Sequence, residues 1–143
     1  MKVLKIAQVP PPTVQSSATI KEAIPLMGSR CGCGVAVLDG ETLVGSLSRD
    51  TVMLRVIGAG LDVNTTTVRD VMGPAATVSD DTDAKDALQA MHAKGQCFLG
   101  VVDDKGSLQG WLAICDLFQE REGDLTHQLD SLASYIGADG PGG

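Results

Sequence analysis

The sequence predicts a mixed α/β (α+β) fold of two similar units, each a small sheet with helices on one face, packed about an approximate two-fold axis. Three observations predict it. First, a strand-turn-strand-helix plan occurs twice. In LGVVDDKGSLQGWLAICDL, residues 99–117, apolar runs at 99–102 and 108–114 flank the turn Asp103-Asp104-Lys105-Gly106. Residues 35–38, 39–41, 43–48 and 51–57 repeat that order. Second, a shift of 64 places Thr13 and Val14 on Thr77 and Val78, Lys21 on Lys85, Ala23 on Ala87, Ile24 on Leu88 and Met27 on Met91. The shift becomes 65 after the longer second turn, where Gly45 meets Gly110. Third, neither unit has enough elements to close a core alone, so the two should pack on each other.

The elements follow in order. Pro10-Pro11-Pro12 is rigid and extended, and Thr13-Val14 allows a very short strand. Thr19 is placed to cap a helix whose Ile20, Ala23, Ile24 and Met27 form one apolar stripe. Pro25 inside it removes a backbone donor and crowds the Lys21 carbonyl, which predicts a kink or a late start. Residues 29–34, SRCGCG, feed the first hairpin. The stretch 58–72, with Gly58, Gly60 and Asn64-Thr65-Thr66-Thr67, reads as a linker rather than a core element. In the second unit Asp83 takes the capping place of Thr19, and Ala84, Ala87, Leu88 and Met91 repeat the stripe. Leu125, Leu129, Leu132 and Ile136 make a last stripe that packs on the chain's own core or docks a second subunit or a neighbouring domain. The expected division is residues 1–57, a linker at 58–67, residues 68–121, and a C-terminal helix with a Gly-rich tail at 122–143.

Composition narrows the function. The 143 residues, 43% of them hydrophobic, can bury about two thirds of their unfolded surface as one body. A formal charge of -7 without a basic cluster argues against nucleic acid or an anionic membrane as partner. No apolar run approaches the roughly 20 residues of a membrane span, and MKVLKIAQVPPP lacks the pattern of a signal peptide. The expectation is a soluble, cytoplasmic protein. Cys31, Cys33, Cys97 and Cys115 are too few and too irregular for a disulfide framework, so reduced thiols are expected. Cys31-Gly32-Cys33 with Cys97 offers a thiolate metal or redox site, but CxC without a second pair is not a zinc spacing, and buried Cys is a common apolar filler. His92 and His127 read as solvated. No nucleophile-base pair or carboxylate pair is present, so an enzyme is not expected.

The doubled order of elements, the lead-in VRDVMGPAATVSDDTDAKDALQAM and the closing Gly-x5-Asp resemble a tandem pair of cystathionine β-synthase (CBS) domains, the Bateman module. That resemblance implies a non-enzymatic sensor that binds AMP, ATP or S-adenosylmethionine between its motifs, pairs as a homodimer and signals to an effector protein or domain. The family's ligand motif is Gly-apolar-x-Thr/Ser-x-x-Asp: the Asp accepts from both ribose hydroxyls and the Thr/Ser binds a phosphate at a helix start. Gly110-Trp111-Leu112-Ala113-Ile114-Cys115-Asp116 keeps the Gly and the Asp but has Ala113 in place of the hydroxyl. Gly45-Ser46-Leu47-Ser48-Arg49-Asp50-Thr51 keeps Ser48 but has Thr51 in place of Asp.

The resemblance thus points to one ligand per chain, held by Asp116, by backbone around Thr77 and Val78, and by residues from Cys97 through Leu99 to Gly100, with Ser48 reaching across the axis. Asp50, one residue early, reads as an ordinary helix cap. Trp111 shares a strand face with Gln109 and Ala113, which suits either stacking on a base or filling a core. The family's usual Pro in the cleft-lining strands is replaced by Ala36 and Gly100. Nearby cations are limited to Arg49, Arg55, Lys94 and Arg30, which favours adenosine, AMP or S-adenosylmethionine over a triphosphate.

Overall fold

Two three-stranded sheets of matching topology form the molecule, and the computed structural model describes residues 1–27 and 34–119 together with Leu129 and Leu132. In the first unit, strand β1 (Thr13–Gln15) leads through helix α1 (Ile20–Met27) to β2 (Gly34–Asp39), which returns as β3 (Thr42–Ser48). Strand β1 runs parallel to β2, and β3 antiparallel to it. Helix α2 (Arg49–Thr51) follows and widens into a π-helix, Val52–Ile57. After the short helix α3 (Val68–Val71), the second unit repeats the plan with β4 (Thr77–Ser79), α4 (Ala84–Lys94), β5 (Phe98–Val102) and β6 (Leu108–Ala113). A closing helix, α5, is described over residues 114–119.

The burial pattern explains why β2 and β5 are apolar over most of their length. In β2, Val35 and Val37 point into a core shared with α1 and the π-helix, while Ala36 points the other way. In β5, Leu99 and Val101 join Ala87, Met91 and Leu112 in the second core, while Phe98 faces Ala36 and Trp111. A third cluster of Ala36, Phe98 and Trp111, edged by Leu43 and Leu108, thereby joins the two sheets face to face. Strands β2 and β5 each bury both faces, so period-2 alternation with polar residues is absent from them.

Helix α1 begins at Ile20, where the Thr19 hydroxyl accepts the Glu22 amide at 3.2 Å, so the expected cap forms and Pro25 does not delay the start. Only three residues of its stripe, Ile20, Ala23 and Met27, are buried; Ile24 is exposed. Asp83 precedes α4 as expected but caps nothing, because its carboxylate turns to Lys2 Nζ at 3.5 Å. Helix α4 ends at Gly95, whose φ of 62° is the left-handed conformation that glycine adopts without strain.

The segments ahead of the two units depart most from the sequence reading. Residues 66–73, expected as linker and lead-in, pack on the first unit: Val68 and Val71 lie in the first core, and Gly73 and Ser46 exchange backbone hydrogen bonds at 2.9 and 3.0 Å. Gly45 is required there, since a Cβ would fall 2.7 Å from the Gly73 carbonyl oxygen. Residues 1–9 pack on the second unit. Val3 is fully buried in the second core, Gln8 exchanges two hydrogen bonds with Trp111, and Gly110 leaves room for Ala7 and Val9. Each unit is therefore completed by the stretch that leads into the other.

Candidate functional site

The two equivalent helix starts after β3 and β6 are each fixed by one half of a reciprocal capping arrangement. In the first unit Ser48 is the N-cap: its Oγ accepts the Thr51 amide at 3.1 Å and lies 3.0 Å from Thr51 Oγ1. Asp50 is exposed within the first turn, so it is not the cap it was expected to be; the helix starts at Arg49, two residues earlier than that assignment needs. In the second unit Ala113 occupies the N-cap place and carries no acceptor. There Asp116 reaches back from the third helical position, and its Oδ2 accepts the Ala113 amide at 3.0 Å. Ser48→Ala is expected to cost about 1 kcal/mol of stability, and Asp50→Ala at most about 0.5 kcal/mol, as read from denaturant midpoints.

Ser48 and Cys97, expected on one ligand, do meet. They line a cleft of about 120 Å³ between the start of α2 and the loop after α4, with Arg49, Asp50, Gln96 and Phe98. Asp116 is not among its lining residues. The Asp116 side is covered, with the residue only 5% exposed, so a sugar reaches its carboxylate only when its surroundings shift. Thr77 stands opposite Gly100 in the β4–β5 ladder, half-buried. Gly100 lies between the sheets, where a Cβ would sit 3.2 Å from Leu108 and 3.7 Å from Leu43. Leu99 is fully buried on the helix side, and Val78 packs against that same core. Trp111 is 4% exposed and stacked on Phe98, ring centroids 4.8 Å apart and planes 23° from parallel. It fills the contact between the sheets, the second of its two readings.

This repeated β-α-β-β-α topology, with the start of α2 facing the loop after α4, is matched by the CBS domain family model at residues 4–58 and again at 68–123. The chain belongs to the CBS domain family. Among curated proteins, the tandem CBS pair is 29% identical over 89 residues to an uncharacterised protein of Methanopyrus kandleri, spanning 62% of this chain and 45% of that one. The chain thus spans less than half of that relative. A CBS domain protein of unknown function from Thermoplasma acidophilum superimposes with a TM-score of 0.75 at 30% identity, over 83% of this chain and 68% of that one. A CBS domain protein from Pyrobaculum aerophilum, solved in complex with AMP, gives a TM-score of 0.71 at 22% identity, over 81% of this chain and 89% of that one.

Sequence reasoning passed over Gln96 and took in Phe98 only as part of the stretch 97–100; both line the cleft at Ser48. The signal for them was Gly95, since a helix ending there turns the next residues toward the opposite unit. The thiol expectation also needs correction. Cys97 is free and exposed, but Cys115 is disulfide-bonded. Spacing along the chain cannot reveal this, because a disulfide depends on Cα atoms coming within about 7 Å in space. Cys31, Cys33, Arg30 and His127 lie outside the described residues. Among the described residues no cluster of His, Cys, Asp and Glu suits a metal ion, and no helix is long and apolar enough to cross a membrane.

Proposed function

We infer that this CBS pair is a regulatory module that senses an adenosine-containing compound, of the AMP, ATP or S-adenosylmethionine class, and signals by a change in how its units pack. The carrying observation is Asp116, a carboxylate at the third position of α5, where the family motif has its ribose acceptor. The AMP complex of the Pyrobaculum relative supports that class of ligand. Arg49 lines the cleft at Ser48 and Lys94 donates to the Thr77 carbonyl at 3.2 Å, and so short a supply of cations favours a ligand with few phosphates. AMP at a hundred times its dissociation constant adds about 2.7 kcal/mol to stability, so a panel of AMP, ATP and S-adenosylmethionine is expected to contain one compound that raises the melting temperature by several degrees. No shift with any of them counts against the reading.

A second reading, a docking module without a ligand, is favoured by one observation. An apolar groove of about 620 Å³ between α4 and α5 is lined by Leu88, Met91, Ile114 and Phe118, and the π-helix of the first unit exposes Met53, Leu54 and Ile57. Apolar faces on both units suit a homodimer built through the helices. Of Met27, Met53, Met72 and Met91, whose adaptable side chains would suit such contacts, Met27 and Met91 are core residues, Met72 is partly buried against the first core, and Met53 is exposed. Light scattering at micromolar concentration is expected to give twice the 14.8 kDa of one chain, and a single-chain mass rejects the dimer. Leu129 and Leu132 are helical and exposed; deletion of residues 124–143 tests their share in it.

A further inference from the structure

The apolar helix faces of the two units lie at corresponding places but differ in relief. In the second unit the face is recessed: the groove of about 620 Å³ between α4 and α5 has Met91 buried in it, Ile114 half-buried and Phe118 exposed. In the first unit it projects. Met53, Leu54 and Ile57 of the π-helix are 63%, 74% and 62% exposed, a ridge of three large apolar side chains. The repeat equates the two places, since Ile24 of α1 falls on Leu88 of α4 by the shift of 64 and Met53 on Phe118 by the shift of 65. Both surfaces are also poor in charge. Arg55, the one charged residue of the π-helix, turns to α3, where its Nη1 donates to the Val71 carbonyl at 3.4 Å. Among the described residues that line the groove, His92 and Cys97 are the titratable ones. In a chain with 18 acidic and 11 basic residues, two apolar surfaces so free of ionic side chains have the character of the centre of a protein interface.

We propose that the ridge of one copy seats in the groove of a second, so that the first unit of each chain faces the second unit of the other. The occupant is a second copy because one chain carries both halves of the fit, a projecting apolar surface and a recessed one. Facing like units would set ridge against ridge and leave both grooves open. Crossed pairing fills both grooves about a single two-fold axis and closes the assembly at two chains. By the exposure of their residues, ridge and groove offer on the order of 600 Å² per copy, and the two contacts on the order of 1,200 Å² in total, the size at which specific stable interfaces begin. This arrangement rests on the homodimer reading above and specifies what that reading leaves open, which face meets which.

The test uses the full chain without nucleotide. Leu54 is the most exposed residue of the ridge, and Cys97, free and exposed, lines the groove. Mild oxidation of Leu54→Cys, followed by peptide mapping with mass spectrometry, is expected to yield an intermolecular disulfide between positions 54 and 97 that disappears when Cys97→Ala is added. Light scattering over a concentration series then reads two charged variants. Leu54→Lys and Phe118→Asp are each expected to raise the dissociation constant of the dimer at least about a hundredfold. Their circular dichroism should match the wild type, because both side chains are exposed in the single chain. An equimolar mixture of the two is expected to regain at least about tenfold of the lost affinity. In crossed pairing one native contact survives in the mixed dimer and the other sets Lys against Asp, whereas pairing of like units leaves a defect in both contacts. A bond between two copies of position 54, no bond between 54 and 97, or a mixture no tighter than its components overturns the crossed arrangement while the homodimer reading stands. A wild type of single-chain mass overturns both. A mass left unchanged by Phe118→Asp means that something other than a second copy takes up the groove, the chain's own residues 124–143 for one, and overturns the proposal as well.

Discussion

Replacing Asp116 by Ala is expected to weaken AMP binding roughly ten- to a hundredfold, because a charged acceptor to both ribose hydroxyls is worth about 1.5–3 kcal/mol. Its carboxylate also holds the Ala113 amide, so the same variant should lose about 1 kcal/mol of stability. Asp116→Asn separates the two effects. The amide oxygen still accepts from Ala113, whereas the charge that favours two hydroxyl donors is gone. Calorimetric titration of wild type, Asp116→Ala, Asp116→Asn and Asp50→Ala with AMP reads them together. Unchanged affinity in Asp50→Ala is expected; equal weakening by Asp50→Ala would mean that the cleft at Ser48 holds the nucleotide as well.

The largest effect on stability is expected at Trp111. Truncation to Ala removes the one large ring that fills the space between the sheets and leaves Phe98 without its stacking partner, a combined cost of about 3–5 kcal/mol. For a chain of this length that is a fall in melting temperature of about 10 °C. Trp111→Phe, which keeps an aromatic ring against Phe98, should cost less than half as much. Thermal unfolding followed by circular dichroism distinguishes the pair, and equal losses would show that the stacking has no part in joining the sheets.

The order of elements could be read from the sequence because the repeat supplies two independent copies of each signal. A strand suggested by residues 35–38 is suggested again by 99–102, and Gly45 and Gly110 mark the same place in two hairpins. Both glycines sit where another segment comes close, Gly45 under residues 72–73 and Gly110 under residues 7–9. What could not be read was the identity of that segment. Val3 and Val68 lie in short mixed stretches, MKVLKIA and TVRDVM, and nothing in their spacing says which core receives them. The same limit applied to the site. Ser48 and Cys97 were both picked out, but their meeting depends on how the units face each other. Asp116 and Ser48 were recognised from a motif, whereas their division of one capping arrangement between two helices required knowing which residue opened each helix. Trp111 stayed ambiguous because an aromatic ring facing a cleft and one facing a second sheet leave the same alternating pattern.

The exchanged lead segments make the two halves a mated pair rather than neighbours. Val3 and Gln8 are closing pieces of the second half, and Val68, Val71 and Gly73 are closing pieces of the first. A chain cut between residues 64 and 65 would yield two fragments, each holding the piece that its counterpart lacks and wanting the one that its counterpart holds. Such fragments can complete themselves only by association, at a rate set by their concentration. Tandem fusion turns that encounter into an internal search at a fixed, high effective concentration. Neither half can then part company with the other without unpicking its own core, so a perturbation in one is carried mechanically into its mate.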